Sequence, residues 1–307
     1  MIRIIKVTNV EKFAAKIIPK QPQKNKTIVE SILKNVKKNG DDAIRKYEKK
    51  FTGANLSSLR LTQTEIKNAY SKVSKTELSA LRLAKARLEK TESVIKSILK
   101  NTTINNNGIK ISKKFIPIQS VGCYIPGGLA KYPSSVIMSI VPAKIAGVKR
   151  VVVVSPPNSD GKINPLTIVA ADICGADEIY KTGGAQSIAA LSYGTKTISK
   201  VDKIVGPGGS FVTTAKSLIN NQTGIDMLAG PTELGIIADN STNPKFVALD
   251  LISQAEHSSD TFCYLITTSE KLAKSVSNII SKLLSKIQRG NIVKSSLKNN
   301  GFIAICR

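Results

Sequence analysis

The run Ser253-Gln254-Ala255-Glu256-His257 closes an apolar-periodic stretch, and helical spacing there sets Gln254 and His257 three residues apart on one face. An amide oxygen and an imidazole nitrogen so placed converge on one cation, while Glu256 points elsewhere and Asp260 follows in a loop. Spacing alone favours a plainer alternative, a polar surface or a hydrogen-bonded interior histidine, because glutamine is an uncommon zinc ligand. His257 is the only histidine of the chain. If its neutral nitrogen holds a metal it is no general base, and zinc wants roughly four ligands where two are in view. Either no metal binds, or the remaining ligands and the base come from sequence outside these residues.

Four glycine-bearing turns form a second constellation: Tyr124-Ile125-Pro126-Gly127-Gly128, Gly183-Gly184-Ala185-Gln186, Gly206-Pro207-Gly208-Gly209 and Ala229-Gly230-Pro231-Thr232-Glu233. Glycine lets backbone approach a ligand closely, and a helix N-terminus offers unpaired N–H groups to phosphate. None matches G-x-G-x-x-G, since Phe211 stands where the third glycine would be. All four are expected at the carboxyl edge of parallel sheets, where ligands settle. Asp226 and Glu233 flank the last turn and read as capping or surface residues before substrate contacts. Tyr124 could flank a cofactor ring or simply pack. Ser134 and Ser135 read as N-caps, and Cys123 as a small buried hydrophobe before a nucleophile.

The elements that must position these residues follow from periodicity. Apolar residues at helical spacing, such as Ile28, Ile32, Leu33 and Val36, predict helices within 25–50 and 63–100. Beyond residue 118 the pattern becomes short β-branched runs, each followed by a turn and a helical stretch. Strands are expected at 120–124, 150–155, 178–181, 203–205, 234–238 and 262–267, and helices at 135–146, 165–174, 185–193, 210–219, 244–257 and 270–287. Such alternation builds parallel sheets from βαβ units, so the fold class is α/β. The polar tract 101–108 reads as a loop. The final run 301–306 looks like a strand lacking partner and cover, as though the chain were cut short.

The net charge of +25 suggests a polyanion partner until it is divided along the chain. It is about +18 over residues 1–120, about 0 over 121–260 and about +7 thereafter. The glycine-rich part is therefore neutral, and Arg82, Lys85, Arg87, Lys90 and Lys96 read as a solvated helix face. With 5% aromatic residues and no nucleic-acid-binding pattern, no nucleic-acid partner is expected. No apolar run is long enough to span a membrane, so no membrane partner is expected either. No export signal and no C-x-x-C pair are present, and the four cysteines are expected as free thiols in a reducing, cytoplasmic compartment.

Taken in order, the blocks VGCYIPGGLAKYPSSVIMSIVPAKIAGVKRVVVVSPP, GADEIYKTGGAQSIAALSYGT, VDKIVGPGG, GIDMLAGPTELGIIAD and LISQAEH resemble the histidinol dehydrogenase family. The resemblance implies two Rossmann-like α/β domains of the aldehyde-dehydrogenase-like type, one inserted in the other. Domain 1 would hold residues 1–122 and 234–307, and the insert 123–233. It further implies a cytoplasmic homodimer that oxidises L-histidinol to L-histidine through the aldehyde, with NAD and zinc as cofactors. Gln254 and His257 would be zinc and substrate ligands, Thr232 a substrate contact, and Tyr124, Gln186 and Gly209 the NAD site. Two departures stand out: the family's GPGN turn ends here in Gly209, and the serine of its GPSE motif is Thr232. The family's acid–base pair and its other zinc ligands would lie beyond Arg307, so no catalytic residue is assigned here, and the chain is expected to be an inactive fragment. The alternatives are a sister enzyme such as a sulfopropanediol dehydrogenase, and a non-catalytic binding module using the basic N-terminal portion.

Overall fold

The structure, a computed structural model, describes residues 2–17, 24–127, 132–228, 233–259 and 261–306. In chain order these form β1 (Arg3–Lys6), α1 (Val10–Ile17), α2 (Lys24–Thr52), α3 (Gln63–Tyr70), α4 (Lys75–Ile98), β2 (Thr102–Asn106), β3 (Ile109–Lys113), β4 (Ser120–Tyr124) and α5 (Pro133–Ala146). There follow β5 (Arg150–Ser155), α6 (Pro165–Ile173), β6 (Glu178–Lys181), α7 (Gly184–Tyr193), β7 (Lys203–Val205), α8 (Ser210–Ile219) and β8 (Gly224–Ile225). The last elements are β9 (Glu233–Ile237), α9 (Pro244–Ala255), β10 (Phe262–Thr267), α10 (Glu270–Leu283), α11 (Gly290–Asn299) and β11 (Phe302–Ile305). Among the described residues no helix is long and apolar enough to cross a membrane.

Contacts divide the chain into two units, one of Pro22–Gly230 and one joining Met1–Gln21 to Pro231–Arg307. The sequence reading drew its boundaries at 122/123 and 233/234. The difference arises because α2, α3 and α4 pack on the helices of the 120–225 sheet. Amphipathic helices take whichever apolar surface is nearest, and this the local pattern does not reveal.

In the Pro22–Gly230 unit five strands run in the order β6-β5-β4-β7-β8, all parallel. β4 is buried from end to end and β5, a run of four valines, beyond its first residue, as central strands are when helices cover both faces. On one side α5 and α6 pack with α3 and α4; on the other α7 and α8 pack with α2. α3 and α4 each begin in a capping box, Thr62 with Glu65 and Ser74 with Glu77. The strand order reverses between β4 and β7, which opens a crevice at their carboxyl ends.

In the other unit the parallel order is β1-β11-β10-β9. Along β10, Cys263 and Leu265 join the core formed with α9, α10 and α11. Phe262 and Tyr264 alternate with them; Tyr264 stacks on Phe302, which Phe262 meets edge-on, as does Phe13 of α1 at 5.4 Å.

Several expectations are corrected. The 101–108 tract is no loop but the first arm and turn of a β2–β3 hairpin, with Asn107 at φ 47° and Gly108 at φ 84°. Two successive left-handed residues make the tight turn that suits a right-twisted hairpin, and Asn-Gly is its usual sequence. The strand at Phe302–Ile305 does not lack a partner, since β1 and β10 flank it. Ser134 and Ser135 are not N-caps: Tyr132 caps α5 because Pro133, with its fixed φ, starts the helix earlier. Strands β1 and β8 and helix α11 had no place in the sequence reading. The helix expected over 244–257 stops at Ala255.

Candidate functional site

Tyr124 ends β4 and Gly206 follows β7, so both stand at the crevice where the strand order reverses. Gly206 takes φ 112°, and a Cβ there would lie 2.1 Å from the Tyr124 carbonyl oxygen, so the turn requires glycine. Its main chain is gripped on both sides. The Gly206 N–H donates to Asp226 Oδ2 at 2.8 Å, and buried Lys216 donates from Nζ to the Gly206 carbonyl at 3.0 Å and also to Asp226 Oδ1. Asp226 is exposed, as the sequence suggests, yet it caps no helix: its carboxylate clamps the turn.

The turn ends at Gly209, the N-cap of α8, where among the described residues no side chain closes the helix end and a Cβ would meet nothing within 4 Å. That terminus offers donors and the positive end of a helix dipole to an anion.

The Gly183–Gln186 turn differs. Glu48 of α2 is completely buried, and its Oε1 accepts from Thr182 Oγ1 at 2.9 Å, the Gly183 N–H at 2.9 Å and Gln186 Nε2 at 2.8 Å. The Gly184 N–H donates to the Tyr124 hydroxyl at 3.4 Å. Two amides of the expected phosphate cradle are therefore already in use. Burial raises the Glu48 carboxyl above the ordinary carboxylate range and pushes the Tyr124 phenol up to about 12. Burial likewise pushes the Cys123 thiol up to about 12, leaving an inert neutral thiol.

Glu48 escaped sequence reasoning because Lys46, Lys49 and Lys50 around it suggest a solvated face. The usable signal is its place four residues after buried Ile44, on the apolar stripe of α2.

Gln254 lies in the last turn of α9 and His257 just beyond it, exposed, with its N–H donating to the Gln254 carbonyl at 3.3 Å. Both belong to the unit of the β9–β11 sheet. Among the described residues no group of three His, Cys, Asp or Glu side chains gathers to hold a metal. Thr232, Asp260 and the stretch 229–232 lie outside the described residues. Glu233 is exposed and opens β9 opposite Phe262, so it stands at the amino end of its sheet and not at the carboxyl edge expected of the fourth turn. On the basic face, Arg82, Arg87, Lys90 and Lys96 are exposed, and Lys85 pairs with Glu89 at 2.8 Å.

A doubly wound parallel sheet whose crevice gathers a tyrosine, a glutamine and an open helix N-terminus defines a Rossmann-like α/β protein. The profile of the histidinol dehydrogenase family matches residues 18–307, and the chain belongs to that family. It is 45% identical over 277 residues to the histidinol dehydrogenase of Methanocaldococcus jannaschii, covering 90% of this chain and 64% of that protein. Identity to the Clostridium acetobutylicum protein of the same name is 44% over 299 residues, 96% of this chain and 69% of that one. The crystal structure of histidinol dehydrogenase from Elizabethkingia anophelis superposes with a TM-score of 0.86 at 34% identity, covering 99% of this chain and 70% of that chain. The chain thus spans about two thirds of the length of the relatives it matches.

Proposed function

We propose that this chain supplies the cofactor crevice and part of the ligand-holding machinery of a cytoplasmic, homodimeric enzyme that oxidises L-histidinol to L-histidine with NAD and zinc. The observation that carries this reading is the meeting of Tyr124, Gln186 and the Gly206–Gly209 turn at one edge of a parallel sheet, in a chain of this family. That edge fits a dinucleotide. Among the described residues, space lies open over Gly209 at a helix end without a side-chain cap, and the buried Gln186 Oε1 has no hydrogen-bond partner.

When bound, NAD supplies the hydride acceptor and zinc a Lewis acid at the alcohol oxygen. The α8 N-terminus would receive the phosphates, Tyr124 would close the crevice beside Gly206, and Gln186 would fix the cofactor through its amide. Gln254 and His257 offer an amide oxygen and an imidazole, half of a zinc sphere, and Thr232 a hydroxyl toward substrate. The described residues alone do not make a zinc site. With its one histidine assigned to the metal, the chain holds no histidine to take the hydroxyl proton, so turnover requires acid–base groups from elsewhere.

Calorimetric titration of the 307-residue chain with NAD tests the crevice: saturable binding that weakens in Gln186→Ala supports it, and absence of binding overturns it. NADH formation from histidinol is expected only after the coding sequence is extended downstream. Turnover by the 307-residue form would refute the assignment of acid–base work to other residues, and an extended form that ignores histidinol would point to a sister substrate.

A further inference from the structure

Two buried oxygens have no hydrogen-bond partner among the described residues, Glu48 Oε2 and Gln186 Oε1, and they belong to side chains bonded to each other. Their arrangement fixes the direction of the amide. Apart from Gln186, Glu48 Oε1 receives the Gly183 N–H and the Thr182 hydroxyl, so any proton that Glu48 carries sits on Oε2, and the Gln186 group facing the accepting Oε1 is the nitrogen. The Gln186 carbonyl oxygen is left as an acceptor beside Gly184, where a Cβ would come within 2.8 Å of it. A buried acceptor without a donor calls for one from outside the described protein atoms.

We propose that Glu48 is a positioning residue of the crevice: its Oε1 ties the start of α7 to α2 and turns the Gln186 nitrogen inward, so that Gln186 meets the cofactor as a hydrogen-bond acceptor. This rests on the reading of Gln186 as a cofactor residue. Glu48 joins parts of the chain separated by 134 to 138 residues, so its removal frees both the turn and the amide.

The test is NAD titration into the full 307-residue chain, with melting temperature recorded for every variant. Gln186→Ala is expected to weaken NAD about tenfold, the scale of one hydrogen bond, and Glu48→Ala and Glu48→Asp to weaken it comparably. Aspartate keeps the carboxyl group and withdraws the oxygens by one methylene, so it decides the matter if the alanine variant does not fold. Glu48→Gln, which retains an acceptor for all three donors, is expected to stay within about twofold of wild type. The double variant Glu48→Ala/Gln186→Ala should bind no more weakly than Gln186→Ala, since the two act as one unit. Without any ligand, the Gln186 side-chain amide resonance should lose its hydrogen-bonded shift in Glu48→Ala. The proposal is overturned if Glu48→Asp binds NAD as wild type does while Gln186→Ala does not, or if the two losses add. If Gln186→Ala binds normally, the cofactor reading falls too, and the proposal with it.

Discussion

The Gly206 Cα hydrogen side faces the Tyr124 carbonyl so closely that a methyl group there would stand 2.1 Å from the oxygen. Gly206→Ala combines that collision with a φ of 112° that L-residues avoid. A loss of about 2–4 kcal/mol is expected, read as a lower urea midpoint at unchanged slope. NAD binding should weaken with it, because the β4 and β7 ends would be forced apart.

Glu48 gives a pH signature. Its carboxyl is raised by burial, so its contribution to stability is complete below the ordinary glutamate range and is lost as pH rises through the elevated value. Glu48→Gln removes the ionisation and keeps the acceptor. Its melting temperature should equal or exceed that of wild type at pH 8, with the gap closing toward pH 4. A gap that widens on acidification would contradict the raised carboxyl.

Arg150 and Glu178 behave oppositely. Arg150 donates from Nε and from a terminal nitrogen to the two Glu178 oxygens at 2.9 and 3.0 Å, and also reaches the Ser199 and Lys200 carbonyls. The bond to Arg150 holds Glu178 below the usual carboxylate range, so this stability is present above that range and fades as pH falls. Arg150→Lys loses the two-pronged geometry, and about 1–2 kcal/mol should vanish at pH 7 and much less at pH 3, discounted for partial exposure.

Gly209→Asn is the reverse experiment. The site has room and an ordinary extended backbone, and asparagine is a good N-cap. The variant should gain about 0.5–1 kcal/mol from the cap and from the stiffer unfolded chain, and bind NAD more tightly. Unchanged affinity would show that the side chain missing at Gly209 is of no consequence to the cofactor.

What could be read without coordinates was local. Strands β4 to β7 were legible to the residue because each is a short β-prone run, Val-Val-Val-Val in β5, followed by a turn and a helical stretch. The Asn107-Gly108 hairpin was missed although its turn is a strong signal, because polar Thr and Asn residues hid the alternation. β8 is two residues long, too short for any pattern, and β1 reads Arg-Ile-Ile-Lys, without alternation. Glu48 was invisible for another reason: its partners lie more than 130 residues away, and only the packing of α2 on α7 makes it a buried group.

One feature of the topology governs how the molecule is made. Arg3–Lys6 pairs in parallel with Phe302–Ile305, so a segment synthesised among the first must wait for one synthesised some 300 residues later. During translation the intervening Rossmann-like unit can mature alone, while β1 finds its partner only after Phe302–Ile305 leaves the ribosome. The exposed early strand, unmated until Phe302–Ile305 is made, marks the interval in which a nascent chain of this design most needs a chaperone.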